Sequence, residues 1–241
     1  MIELINISKS YNQEVNAVNN LSLNIPSGQI TGFIGPNGAG KTTTLKMITG
    51  ILKQDKGAII VNGADTLTEP IKTKSQIGFV PDSPDIFLRL KGIEYLNFIA
   101  DIFKVNSVNR KRIISELAEK FEISEALSDK MQSYSHGMRQ KIIIIGMLLH
   151  SPEVFVLDEP LTGLDPKASF ILKELLREYA DKNKTIFFST HILEVAEKLC
   201  DRVAIINKGV LQFYGTMDEM KNHFRQNSSL ENIFLEITEN G

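Results

Sequence analysis

Cysteine is almost missing: the 241-residue chain has one, Cys200. A single thiol cannot close an internal disulfide, which fits a reducing, cytosolic compartment better than secretion. An excess of either charge is missing too, with 27 Lys plus Arg against 29 Asp plus Glu and a formal net charge of -2. Such a balance leaves no overall field to hold a polyanion, so nucleic acid is not the expected partner. Long hydrophobic runs are absent. The longest, Ile142 to Leu149, is eight residues between Lys141 and His150, against the ~20 of a bilayer-spanning helix. It reads as the spine of a buried helix. The start, Met1-Ile2-Glu3-Leu4, lacks the basic and apolar segments of a secretory signal, so none is expected. No low-complexity tract, sustained heptad or internal repeat is evident, which excludes simple arrays. What is present is ordinary globular material, 42% hydrophobic and 23% charged, enough for one sizeable core.

Patterning divides the chain. Ile2 to Ile7 and Leu21 to Ile25 alternate apolar with polar, which predicts antiparallel strands. The apolar run Ile30 to Ile34 leads through a Gly-rich turn into a helix from about Lys41 to Thr49, and Ala58 to Val61 and Ile77 to Val80 read as further strands. From about Phe87 to His150 apolar residues recur at helical spacing, so residues 87–150 are expected to form a helical insert. Alternation then resumes with Val154–Leu157, Pro166–Ala180, Thr185–Phe188, His191–Leu199 and Val203–Ile206. It predicts a mostly parallel sheet flanked by helices. The expected organisation is one domain over residues 1–241. Residues 1–86 and 151–214 form a core with an N-terminal antiparallel β part, and 215–241 form a short extension with amphipathic pieces at Met217–Phe224 and Leu230–Ile237. Cys200 shares a helical face with Val195, Ala196 and Leu199 and reads as a small core residue.

Three strand ends carry polar residues of one chemical character. Gly35-Pro36-Asn37-Gly38-Ala39-Gly40-Lys41-Thr42 fits G-x-x-x-x-G-K-[ST] between a strand and a helix. The glycines let main-chain N–H groups curl around phosphate oxygens, the helix start adds its positive dipole end, and Lys41 adds a point charge. The Thr42 hydroxyl suits Mg²⁺. At the end of Val154–Leu157 stand Asp158 and Glu159, two adjacent acids that are costly without a cation. Asp158 would hold Mg²⁺ directly or through water, and Glu159 would polarise an attacking water. His191 follows the run Thr185–Thr190. Ligands of open parallel sheets bind beyond the carboxyl ends of strands, so these ends converge on one nucleotide.

With Tyr134-Ser135-His136-Gly137-Met138-Arg139-Gln140 added, the chain resembles the ATPase subunit of ATP-binding cassette transporters from Ile2 to about Gly215. It looks most like bacterial ATPases that serve separate exporter permeases. The resemblance implies an α/β P-loop NTPase, RecA-like core with ATP and Mg²⁺ as cofactors. It makes Tyr11 the aromatic that stacks on adenine, Gly35 to Thr43 with Asp158 and Glu159 the phosphate motifs, Asp165 part of the loop between protomers, and His191 the sensor of the γ-phosphate. Ser135 and Gly137 belong to the signature segment that reaches nucleotide in the opposite subunit. Two positions depart from the family. The signature usually reads Leu-Ser-Gly-Gly-Gln, where this chain has Tyr134, His136 and Met138 at the first, third and fifth places. Asp82 stands where a Gln usually reaches Mg²⁺, and its shorter acidic side chain sets it apart from the metal ligands while its place at the hinge suits signalling to a membrane partner.

The resemblance thus implies an ATP-hydrolysing subunit that dimerises around MgATP, with a second copy or a paralogue, and drives a separate transmembrane permease docked near Asp82 and residues 84–95. The chain would sit in the cytoplasm, peripheral to the membrane. The tail Ser229 to Leu235 is similar to those of export ATPases for drugs, peptides or lipids. The rival from another class is a soluble ATPase of the same superfamily acting on DNA, ribosomes or a regulatory partner; such forms carry a long coiled coil or two fused cassettes. A P-loop GTPase would need an Asn/Thr-Lys-x-Asp segment, which the sequence lacks.

Overall fold

The computed structural model of the chain describes residues 1–11, 16–224 and 234. Its first part runs β1 (Ile2–Ser10), β2 (Asn16–Ile25), β3 (Ile30–Ile34), α1 (Lys41–Ile48), β4 (Lys56–Val61), β5 (Ala64–Asp65), α2 (Pro70–Lys74) and β6 (Ile77–Val80). The insert holds α3 (Gly92–Ile102), α4 (Ser107–Lys120), two short 3₁₀ turns and α5 (His136–Leu148). The remainder is β7 (Val154–Asp158), α6 (Pro166–Asp181), β8 (Thr185–Thr190), α7 (Leu193–Leu199), β9 (Arg202–Asn207), β10 (Val210–Thr216) and α8 (Met217–Phe224).

Two sheets result. An antiparallel one has the order β2-β1-β4-β5, and a second the order β10-β9-β3-β8-β7-β6. The second is parallel apart from the β9–β10 pair. Its parallel strands are mostly apolar because both faces are covered, and their period of two deals successive residues to opposite layers. Ile30, Ile34, Phe155, Leu157, Ile186, Phe188, Val203 and Ile205 face one core with the helices of the insert and with α6 and α7. Phe33, Val154, Val156, Phe187, Ala204 and Ile206 face the other, with α1 and the antiparallel sheet. Each fully buried Ile or Phe contributes about 1.5–3 kcal/mol, so the six-stranded sheet is the rigid plate on which the loops are mounted.

The helix α5 is the spine read from the run Ile142–Leu149. Residues Ile142 to Leu148 are all buried, as expected of a helix apolar on every side, and α5 packs on α3 and β6. Cys200 is buried beside Gly32, and burial pushes its thiol well above the ordinary range. It is a packing residue.

Several expectations need correction. The helix expected to start at His191 begins at Leu193, because the Thr190 hydroxyl accepts the N–H of Ile192 at 3.0 Å and turns the chain first. The segment Ala58–Val61 lies in the antiparallel sheet as β4, paired to β1, so that sheet reaches well beyond the first thirty residues. β5, α2 and β10 were not legible: two are very short, and β10 is a half-exposed edge strand without a continuous apolar run. Met217–Phe224 is helical as expected, whereas the Leu230–Ile237 piece and the Ser229–Leu235 tail, Phe234 excepted, lie outside the described residues.

Candidate active site

β3, β8 and β7 are neighbours in the sheet, so their carboxyl ends deliver the Gly35 loop, His191 and Asp158 with Glu159 to one place. There a cavity of about 520 Å³ is lined by Tyr11, Asn37, Gly38, Gly40, Lys41, Thr42, Thr43, Asp82, Asp158, Glu159 and His191, together with Ala17 and Thr162.

The loop is shaped by backbone requirements. Gly40 precedes α1 with φ 107°, a region that glycine alone enters freely, and a Cβ there would collide with the carbonyl oxygen of Ala17. β2 therefore closes down on the loop, which explains why Ala17 lines the cavity. Lys41, only 7% exposed, folds back and donates to the carbonyl oxygens of Gly35 at 2.6 Å and Pro36 at 3.2 Å. Burial lowers the pKa of its ammonium from the ordinary lysine value, and the charges of Glu159, Asp158 and Asp82 offset part of that. Gly35, Pro36 and Ala39 stand behind the lining: Pro36 and Gly35 anchor Lys41, and Ala39 is buried.

The acidic pair is set by strand register. Asp158 on β7 lies opposite Ser189 on β8, and the Ser189 hydroxyl donates to Asp158 Oδ1 at 2.6 Å while accepting the N–H of Glu159 at 3.0 Å. Asp158 is 1% exposed and is in no ion pair among the described residues. Glu159 adopts φ 48°, an uncommon left-handed conformation for a non-glycine residue, directly at the strand end. Its Oε1 lies 2.9 Å from Nδ1 of His191. Tyr11, 65% exposed, stands at the rim with its hydroxyl 3.3 Å from Oγ1 of Thr43.

Ser135, Gly137 and Asp165 are elsewhere. Ser135 caps α5, accepting the N–H of Met138 at 3.3 Å, and Asp165 caps α6, accepting that of Ala168 at 2.8 Å. None of the three lines the cavity. The hydrogen bond from Lys141 holds the Asp165 carboxyl below the usual carboxylate range. Three contributors were missed in the sequence. Thr162, whose N–H is donated to the Glu159 carbonyl at 3.1 Å, follows Glu159 by one turn, a spacing that could have suggested it. Ser189 and Ala17 become visible only through strand pairing.

The family model described as ABC transporter matches residues 18–162. The chain belongs to the ABC transporter family. The ATP-binding protein NatA of Bacillus subtilis strain 168 is 34% identical over 239 residues, which are 98% of this chain and 97% of that protein. The linearmycin resistance ATP-binding protein LnrL of the same strain is 33% identical over 220 residues, 91% of this chain and 70% of LnrL. Some relatives are longer, such as one from Nostoc sp. of which the match spans 62%. Among solved structures, an ATP-binding subunit of an ABC transporter superposes with TM-score 0.93 at 31% identity over 98% of this chain and 99% of that one. The dimeric ATP-binding cassette MJ0796, in a post-hydrolysis state with ADP and Pi, gives TM-score 0.81 at 25% identity over 90% of this chain and 99% of that one. The architecture expected of a P-loop NTPase is thus the one observed, and this ABC chain is an ATPase.

Proposed function

We propose that the chain hydrolyses MgATP between two head-to-tail subunits and passes the resulting motion to a separate membrane permease, in export. One observation carries the reading: Lys41, Asp158, Glu159 and His191 share a single cavity, whereas the start of α5 at Ser135 stands outside it. A helix start with free N–H groups that does not serve its own phosphate loop suits a neighbour's. The dimeric MJ0796 cassette and the resistance role in the name of LnrL support the same reading.

The residues divide the work. Tyr11 at the rim takes the base by stacking, and residues 35–43 grip the phosphates through main-chain amides. On binding, Lys41 exchanges the carbonyls of Gly35 and Pro36 for phosphate oxygens, a trade that restores full charge pairing to a buried ammonium. Glu159 takes a proton from water as its oxygen bonds to the terminal phosphorus and the bridging bond to ADP breaks. His191, 2.9 Å from Glu159, orients that carboxylate and marks where the terminal phosphate sits.

A divalent cation fits the donors present. Asp158 is buried and is in no ion pair among the described residues, and Thr42 lines the same cavity. Bound Mg²⁺ would be held by Thr42 and Asp158 and would neutralise phosphate charge. Asp82 lines the same cavity but serves the hinge toward the permease in this reading. No helix among the described residues is long and apolar enough to cross a membrane; in this reading the chain contributes the stroke and a permease the passage.

Gel filtration of Glu159→Gln with MgATP tests the scheme. Without the base, hydrolysis stops while the cradle remains, so a nucleotide-dependent dimer is expected. Elution as a monomer at every protein concentration overturns the dimer mechanism.

A further inference from the structure

Three consecutive residues early in α5 hold three different segments. Lys141 Nζ pairs with Asp165 at 2.7 Å, and Gln140 Nε2 donates to the carbonyl of Pro160, next to Glu159, at 3.2 Å. Arg139 reaches the other way. Its Nη1 donates to Asp85 Oδ1 at 2.5 Å, its Nε to the carbonyl of Met131 at 3.1 Å and its Nη2 to that of Gln132 at 2.9 Å. Asp85 lies three residues beyond Asp82, which lines the nucleotide cavity, in the stretch between β6 and α3. Ser135, the cap of the same helix, lies one turn before Arg139 and its carbonyl accepts the Arg139 N–H at 3.0 Å.

We propose that Arg139 is a positioning residue that clamps the Asp82-bearing segment to the start of α5, so that occupancy of one cavity orients the Ser135 helix end offered to the second subunit. The guanidinium is suited to this. Its planar fork bonds several acceptors in a fixed geometry, and two of its partners are main-chain carbonyls of the turn leading into Ser135. Those bonds make Arg139 and the signature turn one body. The ion pair with Asp85 then extends the body to the hinge, and because Asp85 is half exposed, the pair contributes little to folding stability. Its removal therefore leaves the fold intact while freeing the hinge from the helix. The inference rests on the dimer reading above, since only a second copy uses Ser135.

Asp85→Ala is the informative variant, because it spares the Arg139 carbonyl bonds. Binding of a fluorescent ATP analogue to the isolated chain should be unchanged within about twofold, while kcat of its ATPase falls about tenfold, misplacement rather than weaker binding being the cause. Asp85→Glu should restore most of the rate, and adding Arg139→Met to Asp85→Ala should cost no further hydrolysis beyond Arg139→Met alone. Wild-type kcat in Asp85→Ala, or an equal loss in Asp85→Glu, overturns the clamp. If instead wild-type protein fails to hydrolyse ATP and Glu159→Gln fails to dimerise, the underlying dimer reading is what has failed.

Discussion

Lys41 is a buried cation that donates to two carbonyl oxygens of its own loop. Burial disfavours its charge and the carboxylates of Glu159, Asp158 and Asp82 offset only part of that, so in the proposed function a triphosphate would supply the rest of the compensation. Lys41→Ala should accordingly weaken binding of MgATP by ten- to a hundredfold, about 1.4–2.8 kcal/mol, as calorimetry would measure; unchanged affinity would mean that the main-chain amides alone hold the phosphates. At this scale the sequence was most informative where chemistry is local. The Gly35–Thr43 loop announces itself because its glycines and Lys41 act within one turn of chain. Ser189 and Ala17 stay hidden because their contributions depend on which strand lies beside which, whereas Thr162 follows Glu159 by one turn and is local to it.

Elements were readable in proportion to their burial. The parallel strands, covered on both faces, show as uninterrupted apolar runs, while α2, β5 and β10 bury little and left no periodic trace. α5 shows both behaviours: its apolar length was plain from Ile142 onward, but the role of its first turn rests on the single hydroxyl of Ser135 and on the contact between Gly137 and Gly163. Gly163, at φ 77°, packs against the His136 ring and leaves no room for a side chain, so the departure from glycine at His136 is accommodated within the chain. Ser135→Ala removes the cap bond to Met138 and should lower stability by about 1 kcal/mol, detectable as a shifted urea midpoint. Its effect on ATPase should exceed what that loss of stability explains if, as proposed, the same hydroxyl serves the nucleotide of a second subunit. Parallel declines in the two measurements would reduce Ser135 to a cap.

The molecule as a whole is a plate with an insert hung from it, and His150 sits at the suspension. It follows α5, and its ring stacks on Phe103, just beyond α3, at 3.6 Å between centroids and 10° between planes. Burial lowers its pKa to about 4, only partly offset by the backbone of Ile77 on β6. The folded chain therefore keeps this imidazole neutral where the unfolded chain, with an ordinary pKa near 6.5, protonates it. Protons then bind preferentially to the unfolded state between those two values, so the stability His150 contributes is complete above about pH 6.5 and drains away as the pH falls toward 4. Thermal unfolding should show the melting temperature declining across that window. In His150→Phe, which keeps an aromatic partner for Phe103 but has no proton to gain, the decline should be shallower. Superimposable pH profiles for the two proteins would remove His150 from the account and leave the carboxylates as the source of acid sensitivity.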